Sequence, residues 1–73
     1  MHLVSEGRKR AQDLEEGDWV QAWMDGSTFW GEIEHICVWS GGPHQEITAE
    51  LRDGTILDFP AGAYVEYFRE VMD

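Results

Sequence analysis

The chain has 73 residues, of which 15 are acidic and five are basic, for a formal net charge of −10. This length allows one small domain and leaves little room for both a core and an enclosed cleft, so it favours a binding or structural protein over an enzyme. The first ten residues carry a local charge of +2, which leaves −12 on the rest (−12 + 2 = −10). An acidic surface repels nucleic-acid phosphates, so we expect a basic protein partner and no direct nucleic-acid binding.

Cysteine usage and hydropathy indicate the compartment. Cys37 is the single cysteine, so no intrachain disulfide is possible and a reducing environment is expected. The N-terminus lacks the apolar segment of a secretory signal, and no apolar run is long enough to cross a bilayer. We therefore expect a cytoplasmic protein with no membrane association.

The chain divides into a tail and a domain. Residues 1–12 mix glycine with charge and show no apolar periodicity, which predicts a flexible tail or a short helix. Residues 13–73 form the domain, in which short segments with strand-like alternation are separated by turn residues. In chain order, the predicted strands are WVQAWM, FWGEIEHICVW, EITAEL, ILDF and YVEYF.

The connections between these strands predict a barrel. Asp25-Gly26 and Asp53-Gly54 tolerate positive φ and predict hairpin turns. Residues 40–44 are rich in glycine and predict a loop, and the PAGA segment before the last strand predicts a single helical turn. Five antiparallel strands joined in this way predict a small closed barrel, because closure removes exposed sheet edges.

Period-two alternation assigns a face to each side chain. Val20 and Ala22 point inward from the first strand. On the second strand the predicted inward side chains are Phe29, Gly31, Ile33, His35 and Cys37, and the outward ones are Trp30, Glu32, Glu34 and Ile36. Gly31 within a strand predicts a bulge or a sharp bend. The last strand allows two registers, with either Val65 and Tyr67 inward or Tyr64, Glu66 and Phe68 inward.

The first two strands resemble those of a Tudor domain, a Src-homology-3-like barrel. The residues that match the family's first strand are Gly17, Asp18, Val20, Ala22 and Trp23. Those that match its second strand are Phe29, Gly31, Ile33 and Ile36. The resemblance extends from residue 14 to about residue 71 and implies an all-β, five-stranded antiparallel Src-homology-3-like barrel.

Tudor domains that bind methylated basic side chains hold the cation in an aromatic cage. The resemblance places Trp23 and Phe29, or Trp30 in place of Phe29, at the first two cage positions. The family's other cage aromatics lie in the turn after the third strand, where this chain has LRDGT and no ring. A complete cage would therefore require Tyr64 or Tyr67 from the last strand.

The alternation itself predicts an outward aromatic pair, Trp23 and Trp30, beside one another across the first hairpin. Apolar patches on a small domain tend to mark contact surfaces. Burying both rings in a partner would contribute ~2–4 kcal/mol at ~25 cal/mol per Å². The predicted binding residues are Trp23, Trp30, Phe29 and Tyr64, rimmed by Asp25, Glu32 and Glu34. Trp39, at a strand end, is predicted to cover the core.

Catalytic and metal chemistry have weak support in the sequence. His35 and Cys37 share a predicted face, but zinc prefers four ligands and no second close pair is present. A buried Cys37 and a hydrogen-bonded His35 are the simpler interpretation, and a Cys-His nucleophile lacks an orienting third residue. We predict no metal, no cofactor and no catalytic residue.

Two functions are favoured; a third, direct nucleic-acid binding, is performed by many related barrels, but the negative charge argues against it. The first is a non-enzymatic interaction module, monomeric or weakly dimeric, that binds a peptide or basic protein surface through its outward aromatic residues. The alternative is a small acidic inhibitor of the phage or bacterial type, which mimics nucleic acid and fills a basic groove of a larger protein. Aromatic side chains would determine binding in the first case, and carboxylates in the second.

Overall fold

The protein is all-β. The computed structural model describes residues 2–40 and 44–72, so residues 41–43 of the predicted glycine-rich loop lie outside the described residues. The strands are β1 (His2–Arg10), β2 (Trp19–Met24), β3 (Ser27–Trp39), β4 (Glu46–Leu51), β5 (Ile56–Pro60) and β6 (Tyr64–Val71). A 3₁₀ turn, Ala11–Asp13, connects β1 to the segment that leads into β2.

The six strands form one antiparallel sheet in the order β1-β6-β2-β3-β4-β5. The predicted closed barrel of five strands is therefore wrong in strand count and in closure, since β1 and β5 remain as edges. The pairing between β6 and β2 is short, covering Trp19↔Phe68 and Val20↔Tyr67. On its other edge, β6 pairs with β1 along its whole length, from Tyr64 to Val71.

The segment predicted as a flexible tail is strand β1. It pairs antiparallel with β6 from His2↔Val71 to Arg10↔Tyr64, with an irregularity between Ser5 and Gly7, where Gly7 has φ +111°. The tail prediction failed because β1 has no apolar alternation to detect. Its side chains are exposed or only partly buried, so backbone pairing rather than core burial defines the strand.

The two Asp-Gly sequences form turns, as predicted. Asp25 (φ 52°) and Gly26 (φ 79°) both adopt positive φ, and they make a two-residue connection between β2 and β3. Asp53 and Gly54 lie in the β4–β5 connection, where the Thr55 backbone N–H donates to Asp53 Oδ1 at 2.9 Å. This hydrogen bond lowers the pKa of Asp53 below its usual value of 3.8.

The core is aliphatic and small. Its largest fully buried side chains are Val20, Ile33, Ile47 and Leu51, with Val65 buried beside them from β6. Phe29, Ile36, Leu57 and Phe59 pack around this cluster and are partly buried. The register of β6 is therefore the one with Val65 inward.

Strand β3 changes its inward face partway along. Ile33 pairs with Leu51 and His35 pairs with Glu50, so Glu34 is an extra residue in a β-bulge. Before the bulge Ile33 points inward; after it Ile36 packs against the core while His35 and Cys37 are exposed. The predictions of a buried Cys37 and an inward His35 are wrong, because a one-residue insertion reverses the alternation.

Gly31 has a different role from the bulge or bend that its position predicts. A Cβ on Gly31 would lie 2.5 Å from Leu51 Cδ1. Glycine at this position therefore lets β4 place the Leu51 side chain directly against β3.

Within residues 2–40 and 44–72, no helix has the length and apolar character needed to cross a membrane.

Candidate binding surface

The outward side of β6, β2 and β3 carries most of the predicted binding residues. The pairing sets Trp19 opposite Glu32, Gln21 opposite Trp30, and Trp23 opposite Thr28. Alternation puts all of these side chains on the side away from Val20 and Ala22, which are buried. We call the set Leu3, Trp23, Trp30 and Phe68 the aromatic surface, because these side chains contribute its apolar area.

Trp30 is held by an aromatic contact with β6. Its ring packs edge-to-face against Phe68, with ring centroids 6.2 Å apart and planes at 88°. This is a favoured geometry for aromatic pairs, because the positive ring edge meets the negative ring face. Leu3 from β1 joins the two rings around an open hollow of about 300 Å³. Trp30 remains 46% exposed, so this hollow, which we call the notch, is open to solvent and has apolar walls.

Trp23 lies near the end of the same hairpin and is 74% exposed. It is diagonal to Trp30, since its cross-strand partner is Thr28 while that of Trp30 is Gln21. Trp23, Gln21, Ala22 and Thr28 line a second hollow of about 300 Å³. The two tryptophans thus share a face, and each borders its own depression.

A larger cleft of about 540 Å³ adjoins the notch through Phe68. We call it the acidic cleft, because it is lined by four carboxylates and one guanidinium. Its lining residues are Glu6, Gly17, Asp18, Trp19, Glu32, Tyr67, Phe68, Arg69 and Glu70. A hydrophobic notch and an acidic cleft that share one wall can receive an apolar side chain and a basic one from the same partner.

Intramolecular cations contact three of the cleft carboxylates. Lys9 Nζ lies 2.7 Å from Asp18 Oδ2, Arg52 Nε lies 2.9 Å from Glu32 Oε1, and Arg69 pairs with Glu6. The Lys9 ammonium also sits 4.4 Å from the centroid of the Tyr67 ring. Three of the four cleft carboxylates are thus paired with basic side chains of the protein itself.

The other predicted binding residues are distributed more widely. Phe29 is opposite Ala22 and packs against the core, so it lies on the inner side of the sheet. Asp25 is exposed in the β2–β3 turn, and Glu34 is exposed at the bulge. Tyr64 is 65% exposed at the start of β6, where the Arg10 guanidinium lies 5.6 Å from its ring centroid. A hydrogen bond with Tyr64 raises the pKa of Arg10 above its usual value.

Trp39 does not cover the core. It is 61% exposed on the outer side of β3, where its indole N–H donates to Thr48 Oγ1 at 2.9 Å. The Thr48 hydroxyl donates in turn to Asp58 Oδ1 at 2.7 Å, which links three strands. The core prediction for Trp39 is wrong for the same reason as that for Cys37, since both follow the bulge.

One group in the described part of the chain could hold a metal ion. The bulge brings ligand atoms of Glu34, His35 and Glu50 within 4.8 Å of one another. His35 Nδ1 also lies 3.7 Å from Glu16 Oε2. These side chains are mostly exposed, and carboxylates with a histidine at a surface also occur as solvated neighbours. No second feature points to a metal there.

Phe68 and Leu3 are the surface residues that sequence reasoning missed. Phe68 was detectable, because the register with Val65 inward places it outward together with Tyr64. Leu3 was not, since β1 lacks a strand pattern.

No protein-family model, curated protein or solved structure matches the chain. The function of the surface therefore has to be inferred from its own geometry.

Proposed function

We propose that this protein is a non-enzymatic interaction module that binds a basic peptide or protein surface. The aromatic surface supplies the apolar contact, and the acidic cleft receives a lysine or arginine side chain. The observation that supports this proposal most directly is the shared wall at Phe68. Its ring borders both the Trp30 notch and the cleft, so apolar and cationic groups of one ligand would be adjacent.

The charge of the domain supports the same class of partner. A body of −12 attracts basic proteins over distances of about 10 Å at moderate salt, which increases the association rate. Affinity would come mainly from the rings, since tryptophan is enriched among the residues that dominate interface energies. Tyr64, on the same face of β6 as Phe68, extends the contact toward Arg10.

The Src-homology-3-like, Tudor-like fold is part of the proposal. It is supported by the five strands β2–β6, which form an open sheet, and by the Asp-Gly turns in two of their connections. The backbone of the PAGA turn bonds to the 3₁₀ turn, as Ala11 N–H donates to the Ala63 carbonyl at 2.8 Å. In this proposal β1 is an addition to the edge of such a unit. An aromatic cage would have to use Trp23 and Trp30, because Phe29 packs inward.

The second candidate is an acidic inhibitor that occupies a nucleic-acid-binding groove. It is favoured by the carboxylates of β3 and β4, where Glu34 and Glu46 are exposed and Glu50 is partly so. Such an inhibitor would bind through carboxylates, and its affinity would fall steeply with added salt.

The test is an array of short synthetic peptides that combine basic with apolar residues, probed with labelled protein at low and high salt. Three proteins are compared: wild type, Trp23→Ala/Trp30→Ala, and Trp39→Ala. The third is a matched control, because it removes an exposed tryptophan from a different part of β3. We expect the double variant to lose about tenfold or more in affinity, and the control to bind like wild type.

The opposite result would decide for the second candidate. An acidic mimic would bind equally well with and without the two tryptophans, and its binding would fall steeply with added salt. Duplex DNA would also compete with it for the same basic protein. Circular dichroism of each variant accompanies the array. Loss of fold in the double variant would show that the rings are structural and would remove the basis of the proposal.

A further inference from the structure

Strand β1 is held to the domain without core burial. None of residues 2–10 is buried, and only Leu3 and Lys9 are partly so. The strands next to it in the sheet do bury apolar side chains, since β6 contributes Val65 and β2 contributes Val20 to the core. An element with few buried apolar contacts belongs to the low-stability end of a structure and opens locally before the rest unfolds.

Polar contacts fix β1 in place. Lys9 lies between Asp18 at 2.7 Å and the Tyr67 ring centroid at 4.4 Å, and both partners of the ion pair are about four-fifths buried, with side chains 21% and 19% exposed. The adjacent Arg10 lies over Tyr64, 5.6 Å from the ring centroid. The Ser5 hydroxyl donates to Glu66 at 2.9 Å.

The residues that hold β1 form a binding site, and β1 is the segment bound in it. The site is the β6 edge, which offers backbone hydrogen bonds, and the Tyr67–Asp18 and Tyr64 positions, which accept two consecutive basic side chains. The occupant is an extended segment of charge +2 on a body of charge −12. Addition of a strand to a sheet edge is a common mode of peptide binding, with affinity from the main chain and selectivity from side-chain positions.

We propose that the β6 edge is an acceptor site for an extended basic segment of a partner protein, and that β1 occupies this site in the free protein. The partner segment would carry two consecutive basic residues, the first between Tyr67 and Asp18 and the second over Tyr64. It would pair antiparallel to β6 after displacing β1. Trp23 borders a hollow that contains no residue of β1, so a substitution at Trp23 separates this site from the tryptophan contact of the proposed function.

The test uses the full chain and a labelled peptide with the sequence of residues 2–12, followed by fluorescence anisotropy of the label. In wild type, β1 of the same molecule competes with the peptide for the β6 edge. The apparent affinity is therefore the intrinsic affinity multiplied by the fraction of molecules in which β1 is open. Lys9→Ala removes an ion pair and a cation–π contact from β1 but leaves the acceptor residues intact. We expect the peptide to bind Lys9→Ala about tenfold more tightly than wild type.

Three controls accompany this comparison. Arg52→Ala also removes one positive charge and one ion pair, and it frees the Glu32 carboxylate of the acidic cleft while leaving β1 unchanged, so it should raise the affinity for the peptide by much less than Lys9→Ala does. A peptide in which Arg8, Lys9 and Arg10 are replaced by glutamate should not bind either protein. Trp23→Ala should bind the unmodified peptide like wild type, because the hollow that Trp23 borders contains no residue of β1.

The proposal is overturned if wild type and Lys9→Ala bind the peptide equally, or if neither binds it. Native-state hydrogen exchange of wild type provides a test that requires no variant. We expect β1 amides to exchange through an opening that leaves β3 and β4 amides protected. If the β1 amides exchange only when the whole sheet unfolds, the proposal is overturned. This measurement is made on wild type, so it does not depend on whether Lys9→Ala folds.

Discussion

The Leu51 side chain occupies the space that a side chain at position 31 would need. A Cβ on Gly31 would be 2.5 Å from Leu51 Cδ1 and 3.3 Å from both Cβ and Cγ of the same residue. Leu51 is fully buried, so it has no free direction in which to move. The contact between β3 and β4 in the core therefore depends on the absence of a side chain at one position.

Gly31→Ala should destabilise the protein by about 1–3 kcal/mol, the usual cost of overpacking a core. Chemical denaturation followed by circular dichroism measures the change. Gly62→Ala is the matched control, because a Cβ there meets nothing within 4 Å, and it should change stability by less than ~0.5 kcal/mol. Equal effects of the two substitutions would show that Leu51 adjusts without cost.

The edge-to-face pair of Trp30 and Phe68 should be measurable as a coupling energy. In a double-mutant cycle, Trp30→Ala/Phe68→Ala should destabilise the protein by about 0.5–1.5 kcal/mol less than the sum of the two single effects, because each single substitution already removes the ring contact. Trp23, which is 74% exposed, serves as the comparison. Trp23→Ala should alter the free energy of unfolding by less than ~0.5 kcal/mol. A coupling of zero would mean that the two rings do not stabilise each other.

Thr48→Val should release the Trp39 indole. The substitution keeps the β-branched shape but removes the hydroxyl that accepts the indole N–H and donates to Asp58. The expected cost is about 0.5–1.5 kcal/mol, together with faster solvent exchange of the Trp39 indole proton in NMR spectra. Asp58→Asn retains an acceptor for the Thr48 hydroxyl and should leave the indole exchange rate near that of wild type.

The Asp53 turn should weaken in acid. Its pKa is lowered in the folded protein by the Thr55 N–H, so ionised Asp53 stabilises the turn above its usual pKa of 3.8. That contribution is lost as the pH falls below this value and through the lowered pKa. Asp53→Asn keeps the acceptor but does not titrate there. The stability difference between wild type and this variant should therefore shrink from neutral pH to pH below about 4. A difference that is constant with pH would contradict the assignment.

The positions of five strands could be predicted because their limits are set locally. Asp-Gly turns, the PAGA segment and period-two alternation act over a few residues, and all of them are visible in the sequence. The β2 and β4 limits in the structure match the predicted segments WVQAWM and EITAEL. The outward positions of Trp23 and Trp30 follow from the same alternation.

The remaining features depend on long-range pairing. Strand β1 is separated from β6 by more than fifty residues in sequence, and its side chains carry no burial signal. The bulge at Glu34 leaves no mark in composition, yet it reverses the faces of His35, Cys37 and Trp39. Closure of the sheet was expected because open edges are unfavourable, but here one edge strand, β1, carries three consecutive basic residues instead.

The aliphatic core has a practical consequence for spectroscopy. Trp23, Trp30 and Trp39 are exposed and Trp19 is only partly buried, so all four indoles contact water in the native state. Their emission should change little when the chain unfolds, whereas covering any of them with a ligand should shift it toward shorter wavelengths. Intrinsic fluorescence in this protein would therefore report occupancy of its surface, while loss of the fold must be followed through the backbone.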